Sequence, residues 1–141
     1  MKVLFVCRQN VGRSQMAKAI YNKITKSNDA SSAGTHVLEV GQTLSERKKV
    51  SASKNFFVLD VMNDIGIDMS HYKRFALDKA LLGQYDLIIS MAKKDDTPEW
   101  LLDDPNYRFW DVADPRGMNY VKTSEVRDEI TRRVNELIVN S

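Results

Sequence analysis

The chain opens on Lys2-Val3-Leu4-Phe5-Val6, with no polar residue from Val3 to Val6. A strand with one wet face alternates apolar and polar residues, whereas an unbroken run of β-formers reads as a strand covered on both faces. Strands of that kind sit in parallel sheets between helical layers, so this short run constrains the rest of the chain. Residues 85–90 (YDLIIS) repeat the pattern, and residues 30–33 (ASSA) and 107–110 (YRFW) are weaker strand candidates. Helical patterns fall between them. Residues 12–25 carry Met16, Ile20 and Ile24 on one stripe, with Ala17 and Tyr21 beside them. Residues 54–65 are expected to form a helix with Phe57, Val58, Val61, Met62 and Ile65 inward and Gly66 as its C-cap. Residues 77–82 and 98–102 read as short helices, with Pro98 in a first turn. Residues 124–138 form the last helix, burying Val126, Ile130, Val134, Leu137 and Ile138. Residues 37–53 have no clean period and read as loop or short helix. Strand–helix alternation predicts a three-layer α/β fold, a parallel sheet with helices on both faces.

The length, 141 residues, suits a single domain spanning 1–141 that buries its core without staples. With 21 Lys and Arg against 19 Asp and Glu, the net charge of +2 gives no electrostatic case for a nucleic-acid or membrane partner. One cysteine excludes an intrachain disulfide and fits a reducing, cytoplasmic setting. No apolar stretch approaches the ~18 residues of a membrane span, and the N-terminal apolar run is too short for a signal peptide. Two histidines and that cysteine are too few for a structural zinc site.

The lone cysteine stands at the start of Cys7-Arg8-Gln9-Asn10-Val11-Gly12-Arg13-Ser14, between the first strand and the first helix. Ligands of open α/β sheets bind outside the carboxyl ends of the strands. Unpaired amides and the dipole at a helix start favour an anion there, a cysteine thiolate included. Arg13 adds a guanidinium fork suited to two oxygens of a tetrahedral oxyanion. Gly12 permits a tight backbone course. Together these describe a loop that binds a phosphate-like anion and attacks it. A buried, inert cysteine beside a surface arginine is the plainer alternative, and the strand–loop–helix placement weighs against it.

Cys-x5-Arg-Ser after one apolar strand resembles the low-molecular-weight protein tyrosine phosphatases and the related arsenate reductases. Ser32-Ala33-Gly34-Thr35 is similar to the family's second strand, Gly66-Ile67-Asp68-Met69-Ser70-His71 to its Gly-Ile-x-x-Ser-His turn, residues 85–89 to the strand before a Met-containing loop, and Asp114-Pro115 to its general-acid loop. The resemblance implies a four-stranded parallel sheet of flavodoxin-like order 2-1-3-4. It also implies roles. Cys7 is the nucleophile and carries a phosphocysteine. Arg13 and the amides of Arg8, Gln9, Asn10, Val11 and Gly12 hold the oxyanion, and Ser14 hydrogen-bonds the thiolate. Asn10 shapes the loop with His71 hydrogen-bonded to it. Asp114 protonates the leaving oxygen and then activates water. Nucleophile, clamp and acid are all side chains, so neither metal nor organic cofactor is expected. The expected partners are a phosphate-bearing substrate such as a phosphotyrosine protein, and phosphate, sulfate or arsenate anions; the protein itself is expected to be a monomer or weak dimer.

Several positions depart from the phosphatase pattern. Gly12 replaces the second loop cysteine of many such phosphatases. Ser14-Gln15-Met16-Ala17 and Asp114-Pro115-Arg116-Gly117 are closer to the arsenate-reductase branch, and Arg116 and Gly117 stand where aromatic residues wall a phosphotyrosine ring. Yet residues 91–98 (MAKKDDTP) hold no cysteine, so an intramolecular disulfide relay is chemically impossible. Val11 is the branched apolar residue of tyrosine phosphatases rather than the threonine of arginine phosphatases. The expectation is a phosphomonoester hydrolase. An arsenate reductase using an external thiol is the alternative, followed by a non-catalytic anion-binding module.

Overall fold

The structure is a computed structural model describing residues 1–51 and 55–141. In chain order the strands are β1 (Val3–Cys7), β2 (Ala30–Gly34), β3 (Leu87–Ser90) and β4 (Tyr107–Phe109). The helices are α1 (Arg13–Thr25), α2 (Leu44–Lys49), α3 (Val58–Asn63), α4 (Glu99–Leu102) and α5 (Tyr120–Val139), with 3₁₀ turns at Lys79–Gln84 and Lys94–Asp96. All strand pairs are parallel, and the sheet order is β2-β1-β3-β4, as the resemblance implies.

β1 is central, and all of its residues are buried. Its side chains divide between the two faces, as the pleat requires. Val3 and Phe5 enter the larger core with Met16, Ile20, Val61, Met62, Ile130 and Val134, which places α1, α3 and α5 on that side. Leu4 and Val6 enter a second core with Ala33, Ile88 and Leu101, covered by Leu77, Leu81 and Trp100. This two-sided cover is what the unbroken apolar run demands.

The helix boundaries follow caps more than apolar periodicity. α5 starts at Tyr120, ahead of the expected residue 124, because the Asn119 side chain accepts from the Lys122 N–H and caps the first turn. Thr43 and Glu46 form a reciprocal capping box, which makes a helix of α2 inside the aperiodic stretch 37–53. The expected helix 54–65 is a correction. It begins only at Val58, its first residue Lys54 lies outside the described residues, and Asn55 to Phe57 are not helical. Its inward face stands as expected, with Val58, Val61 and Met62 buried. Gly66 (φ 78°) ends it, with Gly66 N–H donating to Asn63 O and Ile67 N–H to Met62 O, the paired bonds of a Schellman motif. Residues 77–82 become the 3₁₀ turn Lys79–Gln84 instead of an α-helix. Among the described residues no helix is long and apolar enough to cross a membrane.

Candidate active site

The loop between β1 and α1 is held from outside by its carbonyls. Cys7 O accepts from Thr35 N–H (3.0 Å) and Arg8 O from His36 N–H (2.7 Å). Gln9 O accepts from both Nε and Nη2 of Arg74 (3.1 and 3.0 Å). Asn10 O accepts from Gln15 Nε2 (3.1 Å), and Gly12 O from Met16 N–H (2.9 Å). The scaffold therefore takes up these carbonyls. The N–H groups of Arg8, Gln9, Val11 and Gly12 donate to no protein acceptor among the described residues, and these same residues line a cavity with Cys7 and Arg13. Unpaired amides around a cavity at a helix N-terminus form an anion site.

Cys7 is 3% exposed, with Sγ 2.9 Å from Ser14 Oγ. The direction of that bond is fixed by its neighbours. Phe75 N–H donates to Asn10 Oδ1 (2.8 Å), which identifies the oxygen end of the amide. Asn10 Nδ2 then donates to Ser14 Oγ (2.8 Å), taking up an acceptor site and leaving the hydroxyl proton for Cys7 Sγ. Gln15 is fully buried. Its Nε2 donates also to Asn10 Oδ1 and Lys73 O, and its Oε1 accepts from Ser32 Oγ. Asn10 itself has φ 56°, a left-handed conformation that asparagine tolerates better than most residues.

Arg13, 7% exposed, anchors Nη1 on the carbonyls of Met91 and Val112. Its Nη2 lies 3.7 Å from Asp114 Oδ2. Asp114 is exposed and its Oδ1 accepts from Arg116 N–H, an Asx turn that orients the carboxylate. Pro115 behind it leaves little room at Gly12, where a Cβ would stand 3.1 Å from Pro115 Cγ. Arg47 of α2 and Phe56 and Phe57 before α3 line the same cavity. Tyr120 backs this wall by packing edge-on against Phe57 (5.7 Å).

The structure thus brings Cys7, Arg8, Gln9, Val11, Gly12, Arg13 and Asp114 to one cavity. Asn10 and Ser14, expected among the substrate-binding residues, sit behind the loop as its support. His71 is a correction. It is exposed and packs edge-on against Tyr72 (5.1 Å), while the Asn10 carboxamide is held by Phe75 N–H and Gln15. Lys73-Arg74, beside His71, reads in the sequence as a pocket edge or a turn decoration, and its hold on Gln9 O went unread; Arg74 is 3% exposed and its Nη1 also bonds Glu39 and Gln42. Sequence reasoning missed the role of Gly34, where a Cβ would stand 2.8 Å from Arg8 O and from Asn10 N. The Ser32-Ala33-Gly34-Thr35 match was the available signal for Gly34; Arg74, 65 residues from Gln9, has none nearby.

The fold and this site define a class. The low molecular weight phosphotyrosine protein phosphatase family matches residues 2–140, and the chain belongs to that family of enzymes. Among curated relatives, the glutaredoxin arsenate reductase of Synechocystis sp. is 27% identical over 139 residues, covering 97% of this chain and 95% of that one. The low molecular weight protein tyrosine phosphatase from T. tengcongensis superposes with a TM-score of 0.80 at 25% identity, covering 100% of this chain and 99% of the other. An arsenate reductase in a phosphate-binding state superposes with a TM-score of 0.74 at 26% identity, covering 99% and 98%.

Proposed function

We propose that the protein is a cysteine-dependent phosphomonoester hydrolase. The observation that carries this is the directed chain from Phe75 through Asn10 and Ser14, which aims a hydroxyl proton at Cys7 Sγ inside a ring of unpaired amides. A donor so placed serves a thiolate, and the amides serve the oxyanion that the thiolate attacks.

The mechanism follows from the placements. The amides of the loop and Arg13 hold the nonbridging oxygens, with Arg13 kept in position by Met91 and Val112. The Cys7 thiolate attacks phosphorus as the bond to the leaving oxygen breaks, giving a phosphocysteine. Asp114, at the cavity mouth, gives its proton to the departing oxygen. The resulting carboxylate then takes a proton from water, whose oxygen attacks phosphorus and returns Cys7 as thiolate with release of phosphate. Ser14 stabilises the thiolate each time it leaves. The phosphate-binding state of the similar arsenate reductase supports this anion chemistry.

A second reading rests on the likeness to arsenate reductases. Cys7 would attack arsenate with loss of water. A first external thiol (glutathione, mycothiol or thioredoxin) would attack the Cys7 sulfur to release arsenite and leave a mixed disulfide, and a second thiol equivalent would reduce that disulfide, because the chain has one cysteine. The two readings separate on one sample. The hydrolase reading expects p-nitrophenyl phosphate turnover that disappears in Cys7→Ser, with little arsenate-dependent thiol oxidation. Arsenite production with negligible hydrolysis would overturn it in favour of the reductase.

A further inference from the structure

The cavity carries more positive charge than one phosphate requires. Arg13 lies at its base and is already committed to Met91, Val112 and Asp114. Arg8 is paired with Asp96 at 3.6 Å. Arg47 and Arg116 also line the cavity, from α2 and from the loop after Asp114, and neither has a carboxylate in ion-pair contact among the described residues. Residues 52–54, five to seven positions after Arg47 in sequence, are Ala, Ser and Lys and bring no acid. Burial pulls Arg47 below the ordinary guanidinium value, and the nearby charges of Arg74 and Arg116 pull the same way, while Glu39 opposes them. Like charges held near one another raise each other's energy, and an anion brought among them relieves it. Asp114 is the one acidic side chain among the described lining residues, and it faces Arg13. Apolar side chains line the same cavity, among them Val11, Phe56, Phe57, Val58 and Pro115.

We infer that Arg47 and Arg116 form a second anion subsite, and that the substrate class is phosphomonoesters whose leaving group carries a further negative charge. The inference rests on the hydrolase reading for the phosphate end only. An aryl or alkyl stem lies along the apolar wall, the phosphate sits over Cys7, and a carboxylate or second phosphate on the leaving group meets Arg47 and Arg116. The absence of aromatic residues directly after Asp114-Pro115 fits this, since Arg116 stands there instead.

The test uses full-length Cys7→Ser, which binds without turning over, titrated calorimetrically with meta- and para-carboxyphenyl phosphate and with the matching carboxamides. At least one carboxylate should bind roughly fivefold more tightly than its carboxamide at low salt. That ratio should shrink with added salt. It should fall toward one when Arg116→Gln, on the exposed loop, or Arg47→Gln is added to Cys7→Ser. Lys2→Gln, an equal charge change before β1 at the far end of the sheet from Cys7, should leave the ratio intact. Carboxylates that bind no better than carboxamides, or an advantage that survives both arginine variants, would overturn the inference. Native protein that hydrolyses neither ester while the arginine-dependent ratio persists would sink the hydrolase reading and leave the subsite standing.

Discussion

Phe75 N–H decides which way the Asn10 carboxamide faces, and everything at Cys7 follows from that one backbone donor. With Oδ1 fixed, Nδ2 must meet Ser14 Oγ, and the Ser14 proton must meet Sγ. Removing the last link in Ser14→Ala takes one hydrogen bond from the thiolate, which is worth about 1.5–3 kcal/mol when charged. We expect kcat for p-nitrophenyl phosphate to fall about 10–100-fold with the fold unchanged by circular dichroism; an unaltered kcat would show that Ser14 does not serve the thiolate. Arg74 acts at one remove. Its bidentate grip on Gln9 O is buried, so Arg74→Ala leaves that carbonyl unpaired and the loop loose. The expected result is a loss of about 2–3 kcal/mol in urea unfolding together with weaker phosphate binding. Arg74→Lys restores charge without the fork and should recover little of either.

At the scale of elements, the site depends on β2 passing close beneath the loop. Gly34 permits this, since any side chain there meets Arg8 O, Asn10 N and Val37. Gly34→Ala should push the loop outward, lower stability by about 1–3 kcal/mol and reduce phosphate affinity more than Ser14→Ala does. Affinity left at the native value would mean that the approach is not needed. The elements differ in how far sequence reveals them. β1 and β3 were legible because burial on both faces leaves an unbroken apolar signature, and Cys7 to Ser14 was legible because strand, loop and helix are contiguous. The start of α3 was not, because Phe56 and Phe57 are apolar for the cavity wall and not for a helix face. The expectation for His71 failed for a related reason: it is near Phe75 in sequence, but the chain presents the Phe75 amide, not the imidazole, to Asn10. Partners far apart in sequence, such as Arg74 with Gln9, leave no local pattern at all.

For the molecule as a whole, acid stability should follow its hydrogen-bonded carboxylates. Glu129 is held below its ordinary value by hydrogen bonds from Arg132 and Arg133, Glu46 by the Thr43 capping box, and Asp68 by Ser70. A carboxylate lowered on folding stabilises the native state above its ordinary value. That contribution is lost as the pH falls through the lowered native value. Urea unfolding free energy should therefore hold near neutrality and decline below the ordinary glutamate value of 4.5. Glu129→Gln should flatten that decline; an identical acid limb would remove Glu129 from the explanation.

The central claim is that Cys7 carries phosphate through the reaction and Asp114 governs its release. It is tested most directly by quenching Asp114→Asn in acid during turnover of p-nitrophenyl phosphate, followed by peptide mass spectrometry. p-Nitrophenolate leaves without help from an acid, whereas attack by water on the phosphocysteine needs a base. The mechanism therefore expects Asp114→Asn to accumulate a phosphoryl group on the peptide containing Cys7, after a burst of p-nitrophenol. Continued phosphate release with no adduct on Cys7 would contradict it.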